Sequence, residues 1–410
     1  MVFPSEKTGN RFREFLEEHA GITARLKSAG IHNAFAALFP EEVQSTAHLA
    51  WQHCGGGISS RHAEACLTGR DVNPADEEKL QIRDRIAQLT GASAEDVYLF
   101  PCGMNAIETA HRTLLERSPN AKSVQFGFPY VDTLKLLEKV GPGVHFFSRG
   151  DANDLVRLEE CLTDEPVAGI YTEFPSNPLL NSPDLVQLRM LSRNHAAPLV
   201  VDDTVSGFAN VDLLQTADIL CSSLTKFFSG AGDVAAGSIV LNANGPFYAE
   251  LKRIMDNSYE DIFWADDARV LERNSRDYLE RMPRINTTTS RLTKFLANRP
   301  EVESVFYPEL IDAQNYDRFR RPSGGYGGLF SLVLKDPAHH APGYYDRLRT
   351  CKGPNLGTNF TLACPFTILA HYEELEFVES LGVSQWLIRV SVGLEETEDL
   401  IARFAAAFEK

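Results

Sequence analysis

The 410-residue chain, 43% hydrophobic, exceeds one ordinary core and predicts a large packed domain joined to a smaller partner. Its formal net charge of −16 excludes broad electrostatic capture of nucleic acid or of an anionic membrane surface, so an anionic substrate needs positive groups placed locally. Seven cysteines, scattered from Cys54 to Cys364 without CxxC spacing or a histidine cluster, predict reduced intracellular thiols, with neither a disulfide framework nor structural zinc. Met1 to Arg11 lacks a signal-peptide core, and no run approaches the ~18 apolar residues that span a bilayer, so the expected location is the cytosol.

Apolar residues at helical spacing, Phe12, Phe15 and Leu16 and then Ile22 and Leu26, predict a helical N-terminal arm over 1–50, its pattern broken at Pro40. From about 88 to 245, short apolar runs alternate with helical stretches. The runs are Val97–Phe100, Ser123–Phe128, Val144–Phe147, Ile170–Phe174, Leu199–Asp202, Ile219–Ser223 and Ser238–Leu241. That alternation predicts an α/β domain over 51–245, a mostly parallel sheet covered by helices. One covering helix is expected to open at Ser182-Pro183, serine as cap and proline in the first turn, and to run through Leu185, Leu188 and Leu191. Beyond 246 the pattern changes. A charged helical stretch holds Arg269, Arg273, Arg281 and Arg284. Strands follow at Val302–Tyr307 and, after the turn Gly324–Gly328, at Leu329–Leu334. The chain closes with Leu387–Val392 and an amphipathic helix from Thr397. A smaller α+β domain over 246–410 is expected, with the functional groups in a cleft between the two domains.

Lys226, in Ser222-Ser223-Leu224-Thr225-Lys226, leaves the end of an apolar strand beside hydroxyls suited to a phosphate, and partial burial of its amine favours imine formation. Ser223 and Thr225 are the candidate phosphate ligands. Read alone, the segment fits an exposed strand-end lysine beside a capping serine equally well. The strand Leu199–Asp202 ends in carboxylates at the edge where open α/β sheets place ligands. Asp202 there can hold a protonated pyridine nitrogen and keep the ring an electron sink, which points to pyridoxal 5′-phosphate (PLP); capping of the next helix suits Asp203 better. Gly103 and Met104 turn a strand into a helix whose first N–H groups can receive a phosphate. Tyr130, at a helix start, can lie against a flat heterocycle and handle a proton; Asn177, between Pro175 and Pro178, can donate to a phenolic oxygen. Each of these last two also reads as an ordinary boundary or turn residue.

In this order the segments resemble the Cys/Met-metabolism branch of fold-type I PLP enzymes, from about residue 45 onward. The carriers are Gly103-Met104, Tyr130, Asn177-Pro178, Asp202, the Ser223/Thr225/Lys226 group and Ile388-Arg389-Val390-Ser391-Val392-Gly393-Leu394-Glu395. The resemblance implies an aspartate-aminotransferase-like fold, PLP bound to Lys226 as a Schiff base, and Arg389 gripping a substrate α-carboxylate, with Asn177 beside it. It also aligns Gly57-Ile58-Ser59-Ser60-Arg61 with a loop that reaches the neighbouring subunit's cofactor phosphate. Arg61 supplies the charge there, and Ser59 stands where the family usually has tyrosine. Active sites shared across a dimer interface in a homotetramer follow from that alignment. Trp51-Gln52-His53 and Gly357-Thr358-Asn359-Phe360-Thr361-Leu362-Ala363-Cys364-Pro365 are similar to the fungal cystathionine γ-synthase-like group. That likeness implies γ-replacement on an O-acyl-L-homoserine through a β,γ-unsaturated imine that accepts a sulfur, carbon or nitrogen nucleophile, with 351–376 bordering the nucleophile. A γ- or β-lyase of sulfur amino acids is the competing reading. The expected partners are an amino-acid substrate and a small nucleophile, with no nucleic acid and no membrane.

Overall fold

Short strands of β-branched and aromatic residues build the central sheet of the computed structural model, which describes residues 1–30 and 32–409. Its seven strands lie in the order Val97–Phe100, Gly237–Leu241, Ile219–Ser222, Leu199–Asp202, Ile170–Glu173, Ser123–Phe126, Val144–Phe147. Neighbours from Ile219–Ser222 to Val144–Phe147 pair in parallel, while Gly237–Leu241 runs against both of its neighbours. Near-continuous apolar runs suit strands buried on both faces. The parallel direction brings the ends of these strands, and the turns after them, to one edge. Asp202, Glu173, Ser223, Cys102 and Tyr130 all emerge there. Asp202 stands opposite Glu173 on one side and Cys221 on the other.

Helix Gly103–Arg117 covers the sheet with Ala106, Ile107, Ala110 and Leu114. Helix Leu185–Asn194 buries Leu185, Leu188 and Leu191 as its spacing predicts, but its cap differs. The Asp184 carboxylate accepts the N–H groups of Val186 at 3.0 Å and Gln187 at 3.1 Å, so Asp184, adjoining the helix, takes the place expected for Ser182. The Ser182 N–H instead donates to Asp312 Oδ2 at 3.1 Å, a tie to the second half of the chain.

In the arm, helix Glu6–Ala20 opens at Ser5, whose hydroxyl accepts the Thr8 N–H, and buries Phe12, Phe15 and Leu16. The helical spacing does not extend beyond it. Arg25–Ser28 and Phe35–Leu38 pair antiparallel, and Val2–Phe3 adds a third strand. Leu26 turns onto Gly9, where an added Cβ would meet its Cδ2 at 3.2 Å, so the apolar residue read as a helical position serves a hairpin packed on the helix. Helix Gln44–Cys54 follows.

A second sheet has the order Val302–Phe306, Leu329–Leu334, Ile388–Ser391, Leu362–Pro365, Cys351–Lys352. Its core, with Leu292, Phe330, Leu332, Val390 and Phe404, is separate from those around the first sheet. Arg389 lies in its middle strand between Ser331 and Cys364, and Ser331 Oγ donates to the Pro178 carbonyl at 2.8 Å. That bond sets the second sheet against the loop following Asn177. Among the described residues no helix is long and apolar enough to cross a membrane.

Candidate active site

Lys226 sits on a tight turn after strand Ile219–Ser222. The Ser223 N–H donates to Thr204 Oγ1 at 2.7 Å, and the Lys226 N–H returns to the Ser223 carbonyl at 3.2 Å. The turn is held from two sides. Buried Arg281 donates to the carbonyls of Phe227 and Phe228, each at 3.0 Å. From the other side Gly357, at φ +78, lies so close that a Cβ would meet the Phe227 nitrogen at 2.3 Å and the Lys226 carbonyl carbon at 2.6 Å. The same segment supplies Asn355, whose Oδ1 accepts from Lys226 Nζ at 2.5 Å. Burial, and after it the charge of Arg389, pull the Lys226 amine down to about 8. An amine so placed spends much of its time neutral and nucleophilic near pH 8.

Ser223 also meets the start of helix Gly103–Arg117. A Cβ on Gly103 would approach Ser223 Cβ at 2.8 Å and Oγ at 3.1 Å, so glycine is what lets helix and turn close on each other. The hydroxyl of Ser223 and the first-turn N–H groups at Gly103 and Met104, which no backbone carbonyl among the described residues accepts, therefore converge, the arrangement that receives a phosphate. Thr225, the other expected phosphate ligand, is bonded within the chain. Its Oγ1 donates to the Ala236 carbonyl at 3.2 Å and accepts the Ala236 N–H at 3.0 Å, which fastens the turn to the next strand.

Two carboxyls, buried Glu173 and half-buried Asp202, stand side by side across the sheet. Asp202 Oδ1 accepts the Thr204 N–H at 2.8 Å, and burial raises its pKa. Glu173 accepts the N–H groups of Tyr130 at 2.6 Å and Asn177 at 3.1 Å, and is raised well above its usual range by burial and then by Asp202. Asp203 is buried too and pushed up to about 8 by burial; it makes no side-chain cap to a following helix. A cation beside Asp202 would return it to its ionised form.

Arg389 is only 4% exposed. It donates to Asn177 Oδ1 at 3.0 Å and to the Pro354 carbonyl, and its guanidinium lies 4.3 Å from the Phe366 ring centre. No carboxylate among the described residues is bonded to it. A buried guanidinium with neutral partners lacks its anion, which a strand-end surface ion pair would not. Tyr130, 41% exposed, precedes helix Val131–Lys139 with its hydroxyl beside Asp132, and Arg389 acts on it electrostatically.

Ser59 and Arg61 are engaged elsewhere in the chain. Ser59 caps helix Ser60–Thr68 by accepting the His62 N–H at 3.1 Å, and Arg61 donates to Asp267 Oδ1 and to the Asp233 carbonyl, each at 2.9 Å. Lys226, Asp202, Ser223, Gly103, Met104, Tyr130, Asn177 and Arg389 thus gather at one edge of the sheet, whereas the bonds of Thr225, Ser59 and Arg61 lead to other groups. Asn355, Glu173 and Arg281 are additions that the sequence reading missed. Asn355 falls inside the 351–376 stretch, and Glu173 directly precedes Phe174-Pro175, so position pointed to both. Arg281 read as one more charge on a helix.

The fold is shared with solved enzymes. Cystathionine gamma synthase from Xanthomonas oryzae pv. oryzae, in complex with cystathionine, superimposes with a TM-score of 0.69 at 22% identity, over 80% of this chain and 84% of that one. Among curated proteins, cystathionine gamma-synthase of Neurospora crassa is 46% identical over 88% of this chain and 60% of its own length. That of Saccharomyces cerevisiae is 45% identical over 77% and 54%. The chain thus spans little more than half of either relative. The cystathionine gamma-synthase-like enzyme iboG2 of Amanita muscaria is 38% identical over 99% of this chain and 80% of its own length. The model of the fungal trans-sulfuration enzyme N-terminal domain matches residues 1–59, and that of the Cys/Met metabolism PLP-dependent enzymes matches 35–409. With nearly its whole length matched, the chain belongs to the Cys/Met-metabolism family of PLP-dependent enzymes.

Proposed function

We propose that this chain carries out γ-replacement on an O-acyl-L-homoserine, exchanging the acyloxy group at Cγ for a sulfur, carbon or nitrogen nucleophile. The observation that carries the amino-acid part of this reading is Arg389, buried without an anion and acting on the amine of Lys226. The γ-replacement part rests on the 38–46% identity to cystathionine γ-synthases and their relatives.

Pyridoxal phosphate is the cofactor of the family, and the residues fit it. A half-buried amine of lowered pKa, a half-buried carboxyl in want of a cation, and a glycine-lined helix start against a serine hydroxyl answer its aldehyde, ring nitrogen and phosphate. Lys226, Asp202, and Ser223 with the N–H groups of Gly103 and Met104 are read in those roles, and Tyr130 as the ring's neighbour. When bound, the cofactor supplies an electron sink for charge developing at Cα. The protein's own groups do the rest. Arg389, oriented by Asn177 and the Pro354 carbonyl, takes the α-carboxylate through its planar fork and fixes the Cα–H bond. Lys226 Nζ, steered by Asn355, removes and returns the Cα proton. The cleft is assigned to the meeting of 51–245 with 246–410, beside the arm 1–50. Arg61 and Ser59 are assigned to the phosphate of a neighbouring subunit in a homotetramer, an exchange that requires Arg61 to give up Asp267.

Two experiments check this. Purified protein given O-acetyl-L-homoserine with a thiol, an amine or a β-keto acid is expected to yield products whose masses carry the nucleophile; ketoacid and ammonia regardless of nucleophile would mark a lyase instead. In cofactor-free protein, pulse labelling of Lys226 by an acylating reagent is expected to be half-maximal near pH 8, because its lowered pKa leaves the amine neutral above that value. Below it the rate should fall about tenfold per pH unit. A midpoint at or above 10 in peptide maps would remove burial as the source of its reactivity.

A further inference from the structure

Asp132, in the first turn of helix Val131–Lys139, is 3% exposed. It accepts two hydrogen bonds from helix Gln44–Cys54, from His53 Nδ1 at 2.9 Å and from Gln52 Nε2 at 2.8 Å. Holding the two helices together does not call for a buried carboxylate, since Ala47, Ala50, Leu136 and Leu137 already share a core there. An acid at that depth is costly unless its oxygens are satisfied. Both bonds fall on Oδ1. His53 Nε2 is itself buried and bonded to nothing, so the carboxylate is the imidazole's only bonded anchor among the described residues. Oδ2 has no bond among the described residues, and the Tyr130 hydroxyl, two residues upstream, lies beside the carboxylate without a hydrogen bond to it in this structure.

We propose that Asp132, held by His53 and Gln52, is a positioning residue that takes the Tyr130 O–H and turns the phenol oxygen's lone pairs into the active site. This rests on Tyr130 belonging to the cofactor site, as read above. Burial and then Asp132 hold the phenol well above its ordinary range, so it keeps its proton while braced. Asn at 132 keeps an oxygen for His53 and Gln52 but cannot accept from the phenol, which makes it the discriminating substitution.

The test compares holoenzymes carrying Asp132→Asn, Tyr130→Phe and both, with His53→Asn as a second way to loosen the brace. The first readout needs no substrate: circular dichroism of the bound cofactor's visible band, which reports how its surroundings are turned. Asp132→Asn and Tyr130→Phe are expected to change that band alike, the double variant to match Tyr130→Phe, and His53→Asn to move it the same way by less. The second readout is steady-state turnover of the acylated homoserine. Asp132→Asn should lower kcat about tenfold to a hundredfold with KM within about threefold, and cost less than about twofold once Tyr130 is Phe. An unchanged band in Asp132→Asn, or the same loss with and without the tyrosine hydroxyl, overturns the proposal. If no γ-replacement is found the proposed reaction fails, yet the band still decides the brace.

Discussion

Lys226→Ala is expected to lose the visible absorbance of covalently held cofactor and to lower turnover by at least about 10³-fold, within the span attributed to a positioned proton-transfer group. No neighbour can substitute. The other ionisable groups at this edge of the sheet, Asp202, Glu173, Tyr130 and Cys102, carry no amine and have their pKa raised by burial, and Arg389 cannot release a proton usefully. The turn itself should survive, because its bonds are main-chain or come from Arg281, Thr204 and Thr225. Removal of the amine leaves Asn355 Oδ1 without its donor, a loss of about 1–3 kcal/mol set against relief of a half-buried amine. A melting temperature within a few degrees of the parent, together with a colourless and inactive protein, is the expected pair of results. An inactive variant that keeps the lysine-bound absorbance would place the cofactor on another amine.

What the sequence disclosed follows from how far each signal reaches. Apolar runs of four to five residues, such as Leu199–Asp202 and Gly237–Leu241, announce buried strands because both faces must be covered. A parallel sheet then collects their carboxyl ends, so Asp202, Tyr130 and Lys226 could be grouped without coordinates. Local capping was less legible. Ser182 and Asp184 are both good caps, and only the bond from Ser182 N–H to Asp312, 130 residues away, shows why the carboxylate takes the helix. Leu26 at helical spacing misled for a related reason: a single leucine packs equally well from a strand once Gly9 leaves room. Groups whose role depends on distant partners were illegible. Arg281 shares its helix with other arginines, and nothing in its own neighbourhood marks it as the clamp on a turn 53–54 residues earlier. Ser59 and Arg61 raise the converse case, since the loop is recognisable in sequence while its bonds within one chain go to Asp267 and Asp233.

Arg389→Leu is expected to separate function from stability in opposite directions. In a chain of net charge −16, an amino-acid carboxylate finds its cation here, and the guanidinium is kept ready by Asn177 Oδ1 and the Pro354 carbonyl rather than neutralised by an acid. Loss of a buried, hydrogen-bonded charge pair with substrate costs about 2–5 kcal/mol, so kcat/KM should fall about 10²–10³-fold, most of it in KM. Arg389→Lys should recover only part of this, because a single ammonium cannot reproduce the fork that fixes both carboxylate oxygens. Without substrate the same arginine is an uncompensated buried charge, and an apolar leucine beside Phe366 removes it, which should raise the melting temperature of the variant. Saturating amounts of a carboxylate substrate analogue should then stabilise the parent and leave Arg389→Leu unmoved, since only the parent binds the anion in its folded state. A variant that loses stability and activity together, and that still responds to the analogue, would mean that Arg389 supports the second sheet and that the α-carboxylate is held elsewhere.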